Sequence, residues 1–246
     1  MAKKIVFVLS PKTHFLDLAG PDQVFWEAIY FGAPFSLEYC SYAEAAYSSS
    51  GLHFAPLPHF SAIELSKGDY VIIPGFDIGL ILSGRDAIPA DFYAWLQHVY
   101  ASEVNLCSIC TGAFVLARSG VLDHKNCTTH WKYTQQLQNL FPKVKVVENI
   151  LFTEQERLYT SAGIASGIDL ALRIVEKETG AFTAHKVARE LVVYIRRSGN
   201  QSQQSLYLTY RNHIHAGVHQ VQDWLIENLH QHLTIGDLAE IASMST

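Results

Sequence analysis

Val104-Asn-Leu-Cys-Ser-Ile-Cys-Thr-Gly112, followed by the apolar run Ala113 to Ala117, decides the fold. A short apolar strand that breaks at a small residue and turns at once into a helix leaves the turning side chain, Cys110, at the strand's carboxyl end. Open α/β sheets place their ligands there. A thiol in that position faces a helix N-terminus, whose free N–H groups and dipole lower its pKa and favour a bound anion. Cys110 is therefore the first candidate for chemistry or sensing, with a buried structural cysteine as the plainer alternative.

Strands alternate with helices on both sides of this stretch, the pattern of a doubly wound, mostly parallel sheet. Ile5 to Leu9 is a continuous apolar, β-branched run, suited to a strand buried on both faces. Pro11 to Gly20 reads as a loop carrying His14 and Asp17. Pro21 then reads as the first turn of a helix with Val24, Phe25, Ala28 and Ile29 on its apolar face. Phe35 to Ser41, Ser49 to Phe54 and Tyr70 to Ile73 read as further strands. The last ends in Pro74-Gly75-Phe76-Asp77, where the glycine lets backbone N–H groups approach a ligand closely. Pro89 to Tyr100 is an amphipathic helix presenting Phe92, Trp95, Leu96 and Val99. Beyond the central turn, Thr129 to Leu140, Gly163 to Lys177 and Phe182 to Arg197 read as helices, and Val144 to Val147 and Arg157 to Thr160 as short strands. The last of these helices would carry Lys186, Arg189, Val193 and Arg196 on one solvated stripe.

Ser198 to Ser205 is polar, lacks an apolar anchor and reads as linker. After it, Val218, Val221, Trp224, Leu225 and Leu229 share one helical face, and Thr234 is placed to cap a second helix through Ile241. Ala242 to Ser245 is a turn ending in a good N-cap residue. That is the first helix and turn of a helix-turn-helix, cut where a recognition helix would start. The implied organisation is a first domain over 1–197, a linker over 198–216 and a truncated second domain over 217–246.

The 246 residues are 49% hydrophobic, enough for one substantial α/β core and a small appendage. With 18 Lys and Arg against 23 Asp and Glu the net charge is −5, which excludes a bulk basic nucleic-acid domain. Residues 206–246 hold one Arg and four acids, so any DNA-contacting surface would lie beyond them. No apolar run approaches a membrane span, and Met-Ala-Lys-Lys leads straight into a strand rather than a signal peptide. The expectation is a cytoplasmic protein with no membrane association. Four cysteines without a secretory signal argue for reduced thiols.

Cys107-x-x-Cys110 and Cys127-x-x-His130 have the spacing of a Cys3His zinc site. Cys107, however, lies within the strand, and at about 3.3 Å per residue it stands roughly 10 Å from Cys110. That argues against both a zinc turn and a disulfide, so neither metal nor cofactor is expected. Reversible oxidation of Cys110 alone stays open. The groups that should converge with Cys110 at the carboxyl edge of the sheet are Asp17, the Gly75 and Phe76 amides, and His130. An ionised acid beside a thiolate is repelled: either Asp17 is protonated and donates a hydrogen bond, or Cys110 stays a thiol. Only the first makes a good nucleophile. Asp17 as a helix cap and His130 as a hydrogen-bonded structural residue are the plainer alternatives.

Cys110 to Ala117, Thr128-Thr-His-Trp131 and Tyr159 to Leu172 resemble the PfpI-type, class I glutamine amidotransferase-like superfamily. With Leu16-Asp-Leu-Ala-Gly-Pro21 and the Arg196 to Ser205 segment, they are most similar to its transcription-regulator branch, which couples that domain to an AraC-type DNA-binding domain. The resemblance implies a flavodoxin-like three-layer α/β/α sandwich, a homodimer, and Cys110 exposed on a strained elbow. It also implies a first domain that binds a small effector, amino-acid-derived or a quaternary amine. Asp17, Gly75, Phe76, Cys110, Thr111 and His130 would form that site, and the C-terminal domain, which Leu233 to Ser245 would begin, would contact DNA.

Thr111 stands where the peptidase branch has the His of a Cys-His dyad, which argues against a peptidase. Isocyanide-hydratase-like enzymes are similar in pairing an acid at the Asp17 position with Cys and Thr at the elbow. The reading is a one-component transcription regulator. The alternative is a cysteine-dependent hydratase or hydrolase acting through Cys110, Asp17 and Thr111, and a third is a thiol-based redox regulator.

Overall fold

The computed structural model describes residues 2–82, 88–205 and 210–246, which form two compact units, Met1–Gln203 and Gln204–Thr246. In chain order the first unit runs β1 (Lys3–Leu9), β2 (Pro11–Thr13), α1 (Phe15–Tyr30), β3 (Phe35–Ser41), β4 (Tyr47–Ser48), β5 (Tyr70–Ile73), α2 (Gly79–Leu82) and α3 (Ala90–Ala101). It continues with β6 (Asn105–Ile109), α4 (Ala113–Arg118), β7 (Asn126–Cys127), α5 (Thr134–Leu140), β8 (Lys145–Val146), β9 (Phe152–Gln155), β10 (Leu158–Ser161), α6 (Ala165–Thr179) and α7 (Ala181–Glu190).

The main sheet has the strand order β3-β1-β5-β6-β10-β9. Every neighbouring pair is parallel except β9, which runs antiparallel along the β10 edge. Because strand side chains alternate, the central strands feed two apolar layers. Val6, Val8, Val71, Ile73 and Leu106 face Phe92 and Leu96 of α3, Phe114 of α4 and Leu137 of α5. Ile5, Phe7, Tyr70, Ile72 and Cys107 face Val24 and Phe25 of α1, Leu170 and Ile174 of α6, and Val187 of α7. Side chains this deeply buried each contribute about 1.5–3 kcal/mol, which makes the three-layer arrangement stable. The flavodoxin-like sandwich expected from the sequence is the fold observed. Its strand order reverses between β1 and β5, so a crevice opens outside their carboxyl ends.

Several elements differ from the sequence reading. α1 starts at Phe15, not at Pro21, so His14 and Asp17 stand at a helix start instead of in a loop, and Pro21 lies inside the helix. Pro21 tolerates this because its missing N–H removes only the bond to the Asp17 carbonyl. The helix read over Phe182 to Arg197 ends at Glu190, where Leu191 caps it and Val192 takes φ +54°. Its basic stripe therefore does not exist: Arg196 turns back to Glu176 and Arg197 to Asp169. The strand read over Ser49 to Phe54 does not form: β4, paired with β2, lies just before it, and within the stretch only His53 makes an isolated bridge, to Tyr47. The helix read from Thr129 begins as a 3-10 turn at Trp131–Tyr133 before α5.

The second unit contains α8 (Ala216–Glu227) and α9 (Ile235–Ile241). Thr234 and Asp237 form a capping box: the Thr234 hydroxyl accepts from the Asp237 N–H while the Asp237 carboxylate accepts from the Thr234 N–H. Residues 206–209, within the segment read as linker, lie outside the described residues. No helix among the described residues is long and apolar enough to cross a membrane.

Candidate functional site

Three chain segments meet at the carboxyl edge of β1, β5 and β6. The first is the start of α1. Thr13 closes β2, and the His14 N–H bonds the Gly75 carbonyl at 2.7 Å, which ties the entry of α1 to the turn after β5. Asp17, one helical turn on, is fully buried. Its Oδ1 accepts the Ile164 N–H at 2.5 Å, so the carboxylate also anchors the loop that leads into α6.

The second segment is the elbow after β6. Cys110 takes φ +55° at the start of a 3-10 turn, Cys110–Gly112, that leads into α4. A left-handed conformation at a residue with a Cβ costs on the order of 1–3 kcal/mol and must be held by its surroundings. Two contacts do so. The Thr129 hydroxyl donates to the Cys110 carbonyl at 2.8 Å. Gly163 packs against Cys110 so closely that a Cβ there would stand 2.8 Å from Sγ and closer still to the Cys110 Cβ.

Cys110 is 3% exposed, which corrects the expectation of an exposed elbow thiol. Its pKa also moves opposite to the expected direction. Burial raises it most, and the Asp17 carboxylate raises it further, outweighing the Thr111 N–H and hydroxyl that pull it down. The residue stays a thiol, the second of the two alternatives open from the sequence. A short α4 behind a 3-10 turn offers too weak a dipole to overcome desolvation.

The third segment is the turn after β5. Gly75 has Asp17, Cys110 and His14 around the place a Cβ would occupy, with the Cys110 Cβ at 2.8 Å and His14 Nδ1 at 3.2 Å. Only a residue without a side chain fits between those groups. The Phe76 N–H, by contrast, is engaged: it donates to Thr111 Oγ1 at 2.8 Å. Thr111 thus fastens the elbow to the β5 turn and does not point into open space.

The structure brings Asp17, Gly75 and Cys110 into contact, sets Thr111 and Phe76 immediately behind them, and places His130 at the rim. His130 caps the 3-10 turn, its ring accepting the Lys132 N–H at 3.3 Å. Burial lowers its pKa, partly countered by Asp17. Beside Gly163 a cavity of about 200 Å³ is lined by His130, Trp131, Ala162, Ile164, Arg197 and Gln203, among others. Arg197 is fixed by buried Asp169, Nη2 to Oδ2 at 2.6 Å. Gln203 Nε2 donates to the Thr129 carbonyl at 3.1 Å, which orients the amide and leaves its buried Oε1 without a partner. Gly163, Ile164, Arg197, Gln203 and His14 were not singled out as site residues from the sequence. Gly163 and Ile164 lie within the Tyr159 to Leu172 motif, but nothing in the spacing shows that Arg197 and Gln203 fold back to the elbow.

The Cys3His spacing does not become a site. Cys107 and Cys127 lie in opposite apolar layers, and burial raises both thiols, Cys127 to about 12.

Residues 3–177 match the DJ-1/PfpI family. The isonitrile hydratase of Pseudomonas putida is 30% identical over 192 residues, covering 78% of each chain. The HTH-type transcriptional regulator CdhR of Pseudomonas aeruginosa is 32% identical over 130 residues, which cover 52% of this chain and 37% of the regulator. The chain spans less than half the length of the regulator relatives it matches. In structure, an AraC family transcriptional regulator from Pseudomonas putida superposes with a TM-score of 0.66 at 21% identity, covering 77% of this chain and 99% of that one.

Proposed function

The chain belongs to the DJ-1/PfpI family, and from that premise we propose that it is the effector-binding part of a one-component, AraC-type transcription regulator. The observation that carries this reading is a small cavity lined by Arg197, Gln203, His130 and Trp131 and separated by Gly163 from the buried Cys110 thiol, followed in the chain by a second unit whose α9 begins with a capping box. A thiol held in its neutral form is a weak nucleophile.

The cavity of about 200 Å³ suits a small metabolite. Arg197 offers a fork for a carboxylate, Gln203 Oε1 an acceptor for an N–H, and the half-exposed Trp131 ring a face for a cation. These groups favour an amino-acid-derived or quaternary-amine effector over an apolar one. Effector binding would shift a homodimer between arrangements that hold the DNA-binding domains differently, which requires unequal affinity for the two states. Of the residues expected to hold the effector, His130 lines this cavity, while Asp17, Gly75, Phe76, Cys110 and Thr111 would support it from behind Gly163, which packs against Cys110. The protein would act in the cytoplasm.

The second reading is a cysteine-dependent hydratase or hydrolase, favoured by the Cys110 and Asp17 pair and by the hydratase relative. A thermal-shift screen of amino acids and betaines, run beside a turnover screen on isonitriles and on wild type against Cys110→Ser, tests both. An effector-induced rise in melting temperature without turnover supports the regulator. Turnover abolished by Cys110→Ser supports the enzyme and overturns the regulator.

A further inference from the structure

Three side chains of metal-ligating chemistry meet in the crevice between β1 and β5. The ligand atoms of His14, Asp17 and Cys110 all lie within 4.8 Å of one another. Two further observations separate this group from an ordinary polar cluster. Asp17 is fully buried, and its Oδ2, which faces the Cys110 thiol, accepts no hydrogen bond from an N–H or a hydroxyl group. A buried carboxylate oxygen left without a donor is destabilising unless something else compensates its charge. His14 Nδ1 stands 3.4 Å from that same oxygen. Two ligands each about 2.0 Å from a tetrahedral cation are themselves about 3.3 Å apart, so this pair already has the spacing of bound ligands.

We propose that His14, Asp17 and Cys110 form a three-ligand site for a thiophilic divalent cation of the zinc type, with water in the fourth position. An imidazole, a carboxylate and a thiolate form a donor set that zinc accepts, and three protein ligands with one open place is the pattern of an accessible zinc site. The ligand atoms, none more than 4.8 Å from another, would need to close by no more than about 1.5 Å to reach the bound spacing. As the metal–sulfur bond forms, the Cys110 thiol releases its proton to solvent and no electron is transferred. His14 supplies the way in, since its side chain is 36% exposed while Asp17 and Cys110 are sealed. Gly75 keeps the space between the three groups free of a Cβ. The site shares only Cys110 with the Cys107, Cys110, Cys127 and His130 spacing, and it needs no organic effector to form.

Cobalt(II) titrated into the full chain is the probe, because a thiolate bound to cobalt gives a near-ultraviolet charge-transfer band. The site predicts saturation at one cobalt per chain, loss of the band in Cys110→Ser, and at least about tenfold weaker binding in His14→Gln and Asp17→Asn. Zinc should displace the cobalt. His14→Gln changes a partly exposed side chain and tests the site even where the buried substitutions fail to fold. Absence of the band in wild type, its survival in Cys110→Ser, or unchanged affinity in His14→Gln overturns the proposal.

Discussion

The Thr111 hydroxyl and the Phe76 backbone bond each other in both directions: Oγ1 accepts the Phe76 N–H and donates to the Phe76 carbonyl, each at 2.8 Å. This pair fastens the strained elbow to the β5 turn. Thr111→Val keeps the shape but leaves two buried backbone groups unsatisfied, which should destabilise the fold by about 2–4 kcal/mol. Thr111→Ser should lose less than about 1 kcal/mol, because it keeps the hydroxyl. Urea denaturation of both variants checks this; equal losses would mean that the methyl group, not the hydrogen bonds, matters.

Gly75 and Gly163 grip Cys110 from two sides, and each should resist even alanine. At Gly163 the added Cβ meets Cys110 while φ +93° already disfavours a side chain. At Gly75 it meets the Asp17 carboxylate and Cys110. Each alanine variant should lose more than about 2 kcal/mol and disturb the site, whereas Gly32→Ala, with φ +88° but open space around it, should lose only about 1 kcal/mol. Melting temperatures of the three variants rank these effects, and a Gly32→Ala loss as large as the other two would refute the crowding argument.

Burial raises the thiols of Cys40 and Cys127 from 9.0 to about 12, and raises Cys107 and Cys110 as well. A pKa higher in the folded than in the unfolded state contributes stability that is intact below the unfolded value and lost as pH rises toward the folded one. Stability should therefore hold to about pH 9 and fall above it, by up to about 1.4 kcal/mol per pH unit for each such thiol. Tyr39 and Tyr42 act in the same direction. Urea midpoints between pH 8 and 11 measure the slope, and Cys127→Ala should reduce it. At neutral pH iodoacetamide should modify Cys110 slowly, and Asp17→Asn should speed that reaction by removing the neighbouring carboxylate. An alkaline plateau or an unchanged alkylation rate would contradict the assignment.

The sheet was legible because its strands are continuous apolar runs: Phe35 to Ser41 and Tyr70 to Ile73 fall where the sequence places them, and Cys110 does follow directly on the carboxyl end of β6. Edge strand β9 was not, since Phe152-Thr-Glu-Gln155 is half exposed and carries no apolar run. The start of α1 was misplaced because proline marks first turns by frequency, and burial of Leu18 and Asp17 overrode that preference. In the site, Asp17, Gly75 and Cys110 could be anticipated from sheet topology alone. The state of the thiol could not, because it depends on how completely Gly163 and the Ile164 loop cover it. Long-range closures such as Arg197 on Asp169 leave no local pattern at all.

Asp169 is almost fully buried and bonds Arg197 at 2.6 Å, while the neighbouring Arg196 pairs with Glu176 at 3.2 Å on a more open surface. Breaking the two pairs should therefore have unequal effects. Arg197→Met leaves a buried carboxylate unpaired and should destabilise by about 2 kcal/mol, less than for a sealed pair because the guanidinium is a third exposed. Arg196→Met should change stability by less than about 1 kcal/mol. Adding Asp169→Asn to Arg197→Met should recover part of the loss, since it removes the stranded charge. The same residue lines the cavity, so Arg197→Met should also abolish the thermal shift produced by a carboxylate-bearing effector, whereas Arg196→Met should retain it. Equal stability losses for the two arginines would show that Asp169 gains no more from its partner than Glu176 does. A shift that survives Arg197→Met would remove the guanidinium from the carboxylate-binding role.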